Sequence, residues 1–421
     1  MNLKVEKSEL AGVITVPASK SQTMRSIIFA SLAEGTSRIK EVLPSPDTDR
    51  MIYAVSAMGT AINRNGNDLI VHGVAGKPVF HGDVIDAGNS GQVLRFCAAL
   101  AALSPNYTIF TGDRSIRTLR PMQPLLDGLS GLGVFAVSAP GNGYAPIIVK
   151  GGIARCETEL DGEDSQPVSA LLILASVLDG KITEVRVRNP GEKPWIELTL
   201  YWLNKLGVTY KNENYERYSV TGGEIKAFNY TVPGDFSSAA FPIAAALVTG
   251  SEITLENLDL SEPQGDKIAI DIFSEMGGGF AHVGRSLKVF KKEGLKGIDI
   301  DINSCIDFLP ILAVTACFAS TPTRIRGAAA ARKKESDRIA AIAGELRKMG
   351  GRIEEHKDGL TVHPSNLLGA LVYSHKDHRI AMSLAVAGLA AGSTEISDTA
   401  CIDKSFPRFA DIMNKLGGKI F

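Results

Sequence analysis

Residues 164–180, DSQPVSALLILASVLDG, decide the fold. The run opens on three polar residues and then stays apolar for about three turns, with no polar stripe on any side. A helix of that kind belongs inside a protein, because it has no face to give to water. On either side of it, residues 155–160 (RCETEL) and 183–188 (TEVRVR) read as strands, the second alternating with period two. Residues 194–205 (PWIELTLYWLNK) read as an amphipathic helix, with Pro194 early enough that its missing N–H costs little. Gly207 stops that helix, and 208–211 and 216–221 form a hairpin around the polar residues 212–215. The unit is βαβαββ, with one helix inside and the other covering it.

The same plan recurs along the chain. Polar openings followed by apolar runs begin at Ser19, Asn89, Asp164, Asp235, Asp307 and Asp377, at intervals of 70, 75, 71, 72 and 70 residues. A Leu-Gly or Met-Gly step closing an amphipathic helix keeps the same beat at Gly59, Gly133, Gly207, Gly277, Gly350 and Gly417. Repetition of this kind outranks any local signal. Three units per domain, each placing a buried helix at the centre in parallel orientation, would account for all 421 residues as two α/β domains. The boundary falls near 229–234 (NYTVPG), and the opening strand, 3–16, is assigned to the second half. That makes residues 1–18 and 234–421 one discontinuous domain and 19–233 an inserted one. Helix N-termini carry unpaired N–H groups and the positive end of the dipole, so six of them facing one interdomain cleft would attract anions.

Composition narrows the class. Net charge is -1 and the pI about 6.7, which favours neither nucleic acid nor an anionic membrane as a partner. The five cysteines (Cys97, Cys156, Cys305, Cys317, Cys401) are scattered without a CxxC pair, as expected for reduced, buried thiols in a cytoplasmic protein. The N-terminal residues alternate like a strand and lack the apolar core of a signal peptide. Apolar runs stop short of the eighteen or so residues a membrane span needs. His375 and His378 are spaced as HxxH, but no acidic or cysteine ligands accompany them, and no metal is expected.

Cations crowd the starts of the buried helices: Lys20 and Arg25 in the first, Arg95 in the second, His378 and Arg379 in the sixth. A cation there opposes the dipole, so helix stability does not explain it; an anionic ligand would. Solvated first turns or internal salt bridges are the plainer alternative. Segment 332–338 (RKKESDR) is expected to open an amphipathic helix, with Lys334, Glu335 and Arg338 in its first turn and Lys334 and Arg338 on one face. Segments 117–121 (RTLRP), 377–379 (DHR) and 404–407 (KSFP) add further basic residues at turns or helix starts.

Taken in order, KSxxxR (Lys20 to Arg25), GNSG (88–91), LRP (119–121), DSQ (164–166), GDFSSAAF (234–241), KESDR (334–338), DHRIAM (377–382) and DKSFP (403–407) resemble the signatures of the 5-enolpyruvylshikimate-3-phosphate synthases across nearly the whole chain. The resemblance implies an inside-out α/β barrel in each of two domains. It implies transfer of the enolpyruvyl group of phosphoenolpyruvate to the 5-hydroxyl of shikimate 3-phosphate, with release of phosphate, in aromatic amino-acid biosynthesis. It implies no cofactor and a monomer with small-molecule substrates only. Phosphoenolpyruvate would be held by Lys20, Gly91, Arg120, Gln166, Arg338, Arg379 and Lys404, since guanidinium groups match carboxylate and phosphate with paired hydrogen bonds. Shikimate 3-phosphate would meet Lys20, Ser21, Arg25, Ser165, Gln166, Asp307 and Lys334, with Arg25 facing its carboxylate. Asp307, read as the first residue of a buried helix, would take the hydroxyl proton, while Glu335 and Lys20 would move a proton to and from the methylene carbon. Glyphosate would compete with phosphoenolpyruvate, because Gly91 leaves space for it.

Two positions depart from the family pattern. Asp164 and Glu192 stand where serines usually help hold the ring phosphate, and Trp195 replaces a tyrosine. Each acid facing a phosphate would repel it by roughly 4 kcal/mol at close range. Lys193, Arg332, Lys333 or Lys334 could neutralise them, the acids could point elsewhere, or the acceptor could lack that phosphate. The sister reaction on UDP-N-acetylglucosamine is disfavoured, because its family carries a cysteine where this chain has Ser115. A non-catalytic anion-binding protein would not need the intact set of acids and bases.

Overall fold

The computed structural model describes residues 2–82 and 84–421. The chain divides into two compact units, Met1–Ser19 with Pro233–Phe421, and Lys20–Val232. Each contains three four-stranded sheets, and the sheets share a design in which paired strands are extended by an antiparallel hairpin or edge. In the sheet around the quoted segment, Glu157–Asp161 pairs in parallel with Ile182–Arg188, which pairs antiparallel with Arg217–Thr221, and Thr209–Glu213 lies at the edge. The hairpin strands start and end within two residues of their expected places.

The six apolar runs form the buried helices Lys20–Leu32, Gly91–Leu100, Ser165–Ala175, Phe236–Thr249, Leu309–Cys317 and His378–Ala391. The last three pack on one another in the discontinuous unit. Ser90, Asp164, Asp235 and Asp377 cap their helices, each accepting a hydrogen bond from a first-turn N–H. The fifth helix departs from the expected start at Asp307. A 3-10 turn, Asn303–Phe308, carries Asp307, and the α-helix begins only at Leu309, ahead of Pro310. Asp307 therefore caps nothing, and its carboxylate is left to other partners.

Each sheet is also covered by an outer helix. In all six repeats that helix ends on Leu or Met followed by a glycine with positive φ, from +75° at Gly207 to +107° at Gly277. The repeated Leu-Gly and Met-Gly step is thus a C-terminal cap that needs left-handed backbone, which is cheap only for glycine. The outer helix after KESDR starts at Arg338, with Asp337 as its cap, so Lys334 and Glu335 lie before the helix and not in its first turn.

The opening strand is two strands serving two sheets. Leu3–Glu6 lies between Thr394–Ser397 and Lys419–Ile420, while Ala11–Thr15 pairs in parallel with Glu252–Glu256. At the other end, Asn229–Thr231 supplies the parallel partner of Thr36–Lys40 in the inserted unit. Cys97, Cys305 and Cys317 are buried and Cys401 half-buried, but Cys156 is exposed, against expectation. Among the described residues no helix is long and apolar enough to cross a membrane.

A Cβ added at Gly207 would meet no atom within 4 Å, so Gly207→Ala should cost only backbone strain, about 1 kcal/mol in urea unfolding. Gly223, equally open but without positive φ, should tolerate alanine within about 0.5 kcal/mol.

Candidate active site

In the inserted unit, the starts of its three buried helices converge. A Cβ placed on Gly91 would lie 2.7 Å from Arg120 Nη1, 2.7 Å from Arg95 Nη1 and 2.9 Å from Gln166 Oε1. Gln92 donates to Ser21 Oγ at 3.5 Å, which links the first two helices at the same end. Glycine at 91 lets the side-chain ends of two arginines and an amide meet over the helix backbone. Arg95 donates to Gln166 Oε1 (3.0 Å) and to the carbonyl of Pro121 (3.1 Å), and pairs with Asp164 at 2.9 Å. Burial draws its guanidinium pKa down; Asp164 opposes that, and the like charge of Arg120 adds to it.

The two departures from the family pattern are engaged within this unit. Asp164 caps Gln166 N–H at 2.9 Å and pairs with Arg95. Glu192 is buried in left-handed backbone (φ 44°), and its Oε2 accepts from both the N–H (3.2 Å) and hydroxyl (2.9 Å) of Ser165. Two of the expected neutralisers are otherwise occupied: Lys193 sits over the Tyr215 ring, and Arg332 pairs with Asp337 and Glu355. Arg95, prominent at its helix start but given no role by the sequence, supplies the compensating charge for Asp164.

Lys20 pairs with Asp47 at 3.7 Å. Arg25 is 1% exposed and gives its donors to Thr199 Oγ1, Ser21 O and Trp195 O, all neutral acceptors. With no carboxylate beside it among the described residues, burial pulls its pKa down to about 9. A guanidinium so placed would gain from an incoming carboxylate.

The discontinuous unit holds the opposite arrangement, a dense ion-pair chain. Arg338 donates from Nε to Asp377 Oδ2 (2.8 Å), from Nη1 to Asp307 Oδ1 (2.5 Å) and from Nη2 to Glu335 Oε2 (2.8 Å). Glu335 reaches on to Lys404 Nζ at 2.8 Å, and Asp307 reaches on to Arg379 Nη2 at 3.0 Å. Ser336 adds a bond to Asp377. Burial alone would raise the Asp307 carboxyl, but Arg379 and Arg338 override it and hold it well below the usual carboxylate range, with Lys334 assisting. Burial would likewise lower Arg338, and Asp377, Glu335 and Asp307 reverse the shift.

The substrate-binding and catalytic candidates of this unit, Asp307, Lys334, Glu335, Arg338, Arg379 and Lys404, therefore belong to one charged cluster or act on it. Asp377 is a further member that the sequence reading misses, although the DHR motif contains it. Of the HxxH pair, His375 hydrogen-bonds Glu345 at 2.8 Å and His378 is buried. Among the described residues no group of three or more His, Cys, Asp or Glu could hold a metal ion.

Both clusters set guanidinium groups and buried carboxylates at helix starts, the equipment of an enzyme that handles multiply anionic small molecules. Residues 5–413 match the sequence model of the family described as EPSP synthase (3-phosphoshikimate 1-carboxyvinyltransferase). A 3-phosphoshikimate 1-carboxyvinyltransferase of Ruminiclostridium cellulolyticum is 42% identical over 422 residues, covering 100% of this chain and 99% of its own length. One from Acetivibrio thermocellus is 41% identical over the same length, with the same coverage. A solved EPSP synthase from Acinetobacter baumannii superposes with a TM-score of 0.83 at 28% identity, covering 100% of this chain and 99% of that one. The chain belongs to the EPSP synthase family.

Replacing Arg338 by methionine would leave three carboxylates without their shared cation. Loss of one partner of a buried pair costs about 3–5 kcal/mol, so Arg338→Met should shift the urea midpoint down by at least that equivalent. Arg408→Met, which breaks only an exposed pair with Asp411, should be nearly silent.

Proposed function

We propose that this chain transfers the enolpyruvyl group of phosphoenolpyruvate to the 5-hydroxyl of shikimate 3-phosphate and releases phosphate, as the names of its full-length relatives indicate for those proteins. The observation that carries the mechanism is Asp307, a half-buried carboxylate outside any helix cap and held between Arg338 and Arg379.

In this reading phosphoenolpyruvate is assigned to Lys20, Gly91, Arg120 and Gln166 of the inserted unit and to Arg338, Arg379 and Lys404 of the discontinuous one. Shikimate 3-phosphate is assigned to Lys20, Ser21, Arg25, Ser165 and Gln166, with Asp307 and Lys334. The uncompensated charge on Arg25 supports its match to the ring carboxylate. Asp307 accepts the 5-hydroxyl proton as that oxygen attacks C2 of phosphoenolpyruvate, and Glu335, with Lys20, delivers a proton to C3. The tetrahedral product then loses phosphate from C2 and a proton from C3, and the enol ether forms. Fixed guanidinium groups stabilise the charge that builds on the departing phosphate. The protein is taken to work in the cytoplasm as a monomer.

Asp164 and Glu192 are consistent with the phosphorylated acceptor, because each already has an internal partner and neither needs to face the ring phosphate as a bare charge. Phosphate release from phosphoenolpyruvate should therefore occur with shikimate 3-phosphate and not with shikimate. Turnover with shikimate alone would reverse the assignment. Asp307→Asn should lower kcat by about 10²–10⁴-fold, the range for a general base, with both KM values little changed. An unchanged rate would remove Asp307 as the base.

A further inference from the structure

Asp266 lies outside every motif and role used so far. It sits in the 3-10 turn Gly265–Lys267, which packs against the Asn303–Phe308 turn that carries Asp307. The residue is 3% exposed. Its Oδ2 accepts a hydrogen bond from the Ser237 hydroxyl in the first turn of the fourth buried helix, while its Oδ1 has no hydrogen-bond partner. Arg379, also buried, pairs with Asp307 through Nη2, but its Nε donates to nothing. A buried acceptor and a buried donor of opposite charge are thus both unmet, an arrangement that costs free energy until the two are joined or separately satisfied.

The two side chains act on each other. Burial pushes the Asp266 carboxyl up to about 7; Arg379 is the strongest influence against that shift, and Asp307 is the strongest charge in favour of it. Two further titratable neighbours are Asp235, which adds to the shift, and Cys305, whose thiol burial pushes up to about 12 and keeps neutral; Lys267, next in the turn, donates to the Leu260 carbonyl. Arg379 is the cation in this group, and the observed arrangement gives it to Asp307.

That arrangement poses a problem for the chemistry. A carboxylate clamped by two guanidinium groups is a weak base, and Asp307 is clamped by Arg338 and Arg379. Basicity would return if one arginine moved away, and Asp266 Oδ1 is a buried acceptor within the same cluster.

We propose that Asp266 is a positioning residue for the transfer reaction, drawing Arg379 off Asp307 through the unmet Oδ1 and Nε so that Asp307 can accept the hydroxyl proton. The proposal rests on the reading of Asp307 as the base. No proton moves to Asp266 in this step; its ionised form is the one that receives Arg379. Turnover should then rise as pH increases through neutrality, where Asp266 loses its proton.

The test compares wild type, Asp266→Asn and Ser237→Ala in steady-state kinetics with phosphoenolpyruvate and shikimate 3-phosphate, from mildly acidic to mildly alkaline pH. The asparagine variant should stay folded. A carboxyl whose pKa is raised in the folded state contributes less stability as pH climbs from its unfolded value of about 4 towards about 7. Removing it should leave Tm at neutral pH unchanged or higher. Asp266→Asn should lower kcat at least about tenfold with KM values held, the pattern of an interaction made only in the transition state. The acid limb of its pH profile should also move to lower pH, because Asp307 keeps both arginines. Ser237→Ala removes a hydrogen bond to the ionised carboxylate and raises the Asp266 pKa, so its deficit should appear near neutral pH and disappear under alkaline conditions.

A kcat for Asp266→Asn within about twofold of wild type across the pH range overturns the proposal. So does a loss that comes with an unmoved acid limb and a lowered Tm, which marks Asp266 as structural. Those results leave wild-type turnover, and hence the proposed function, standing. A wild type that releases no phosphate removes the function itself and this proposal with it.

Discussion

A helix that is apolar on every side can offer water only its ends, and the rest of this structure depends on that constraint. Ser165–Ala175 is buried almost throughout, and Phe236–Thr249 and His378–Ala391 behave alike. Sheets and outer helices must therefore surround each one. The polar residues at the helix starts are gathered where the helices meet. In the inserted unit this brings Gly91, Arg95 and Gln166 together. In the discontinuous unit it brings Asp377 and Arg379 to the cluster built on Asp307. The free N–H groups and dipoles of those ends add positive potential to a place already crowded with guanidinium groups.

The two clusters resolve the cost of burying charge in opposite ways. Arg338 is compensated inside the fold by Asp377, Glu335 and Asp307, and the Coulombic attraction outweighs its desolvation. Arg25, equally buried, meets only neutral acceptors among the described residues, and desolvation wins. An internal network of the first sort fixes geometry before any ligand arrives. A lone buried cation of the second sort is a standing preference for an anion. Asp164 and Glu192 belong with the first sort: as bare sequence they look hostile to a phosphate, yet Arg95 and Ser165 already hold them.

Much of this is legible in the chain. The 70-residue beat, the apolar runs and the Leu-Gly and Met-Gly steps mark the repeats, and the positive φ at all six step glycines explains why that dipeptide closes each helix. The differences between expectation and structure are local and concern where helices begin. Hydrophobic pattern puts Asp307 at a helix start, but the segment Asn303–Phe308 turns as a 3-10 helix and the α-helix begins only at Leu309. The same pattern puts Lys334 and Glu335 in a first turn that Asp337, the better cap, moves to Arg338. Both shifts free the side chains concerned from helix geometry. Glu335 can therefore reach Lys404 and Arg338 at once.

By itself, the sequence determined the repeat, the burial of six helices and the inventory of acids and bases, because hydrophobic period and cap chemistry act over a few neighbouring residues. Partner choice was left to the tertiary structure. Arg338 and Asp377 are 39 positions apart, Lys404 and Glu335 69, and Arg95 and Gln166 71. Asp266 carried no signal at all until its turn was packed against that of Asp307. Electrostatic pairing depends on distance and desolvation in three dimensions, and neither quantity exists before the chain has folded.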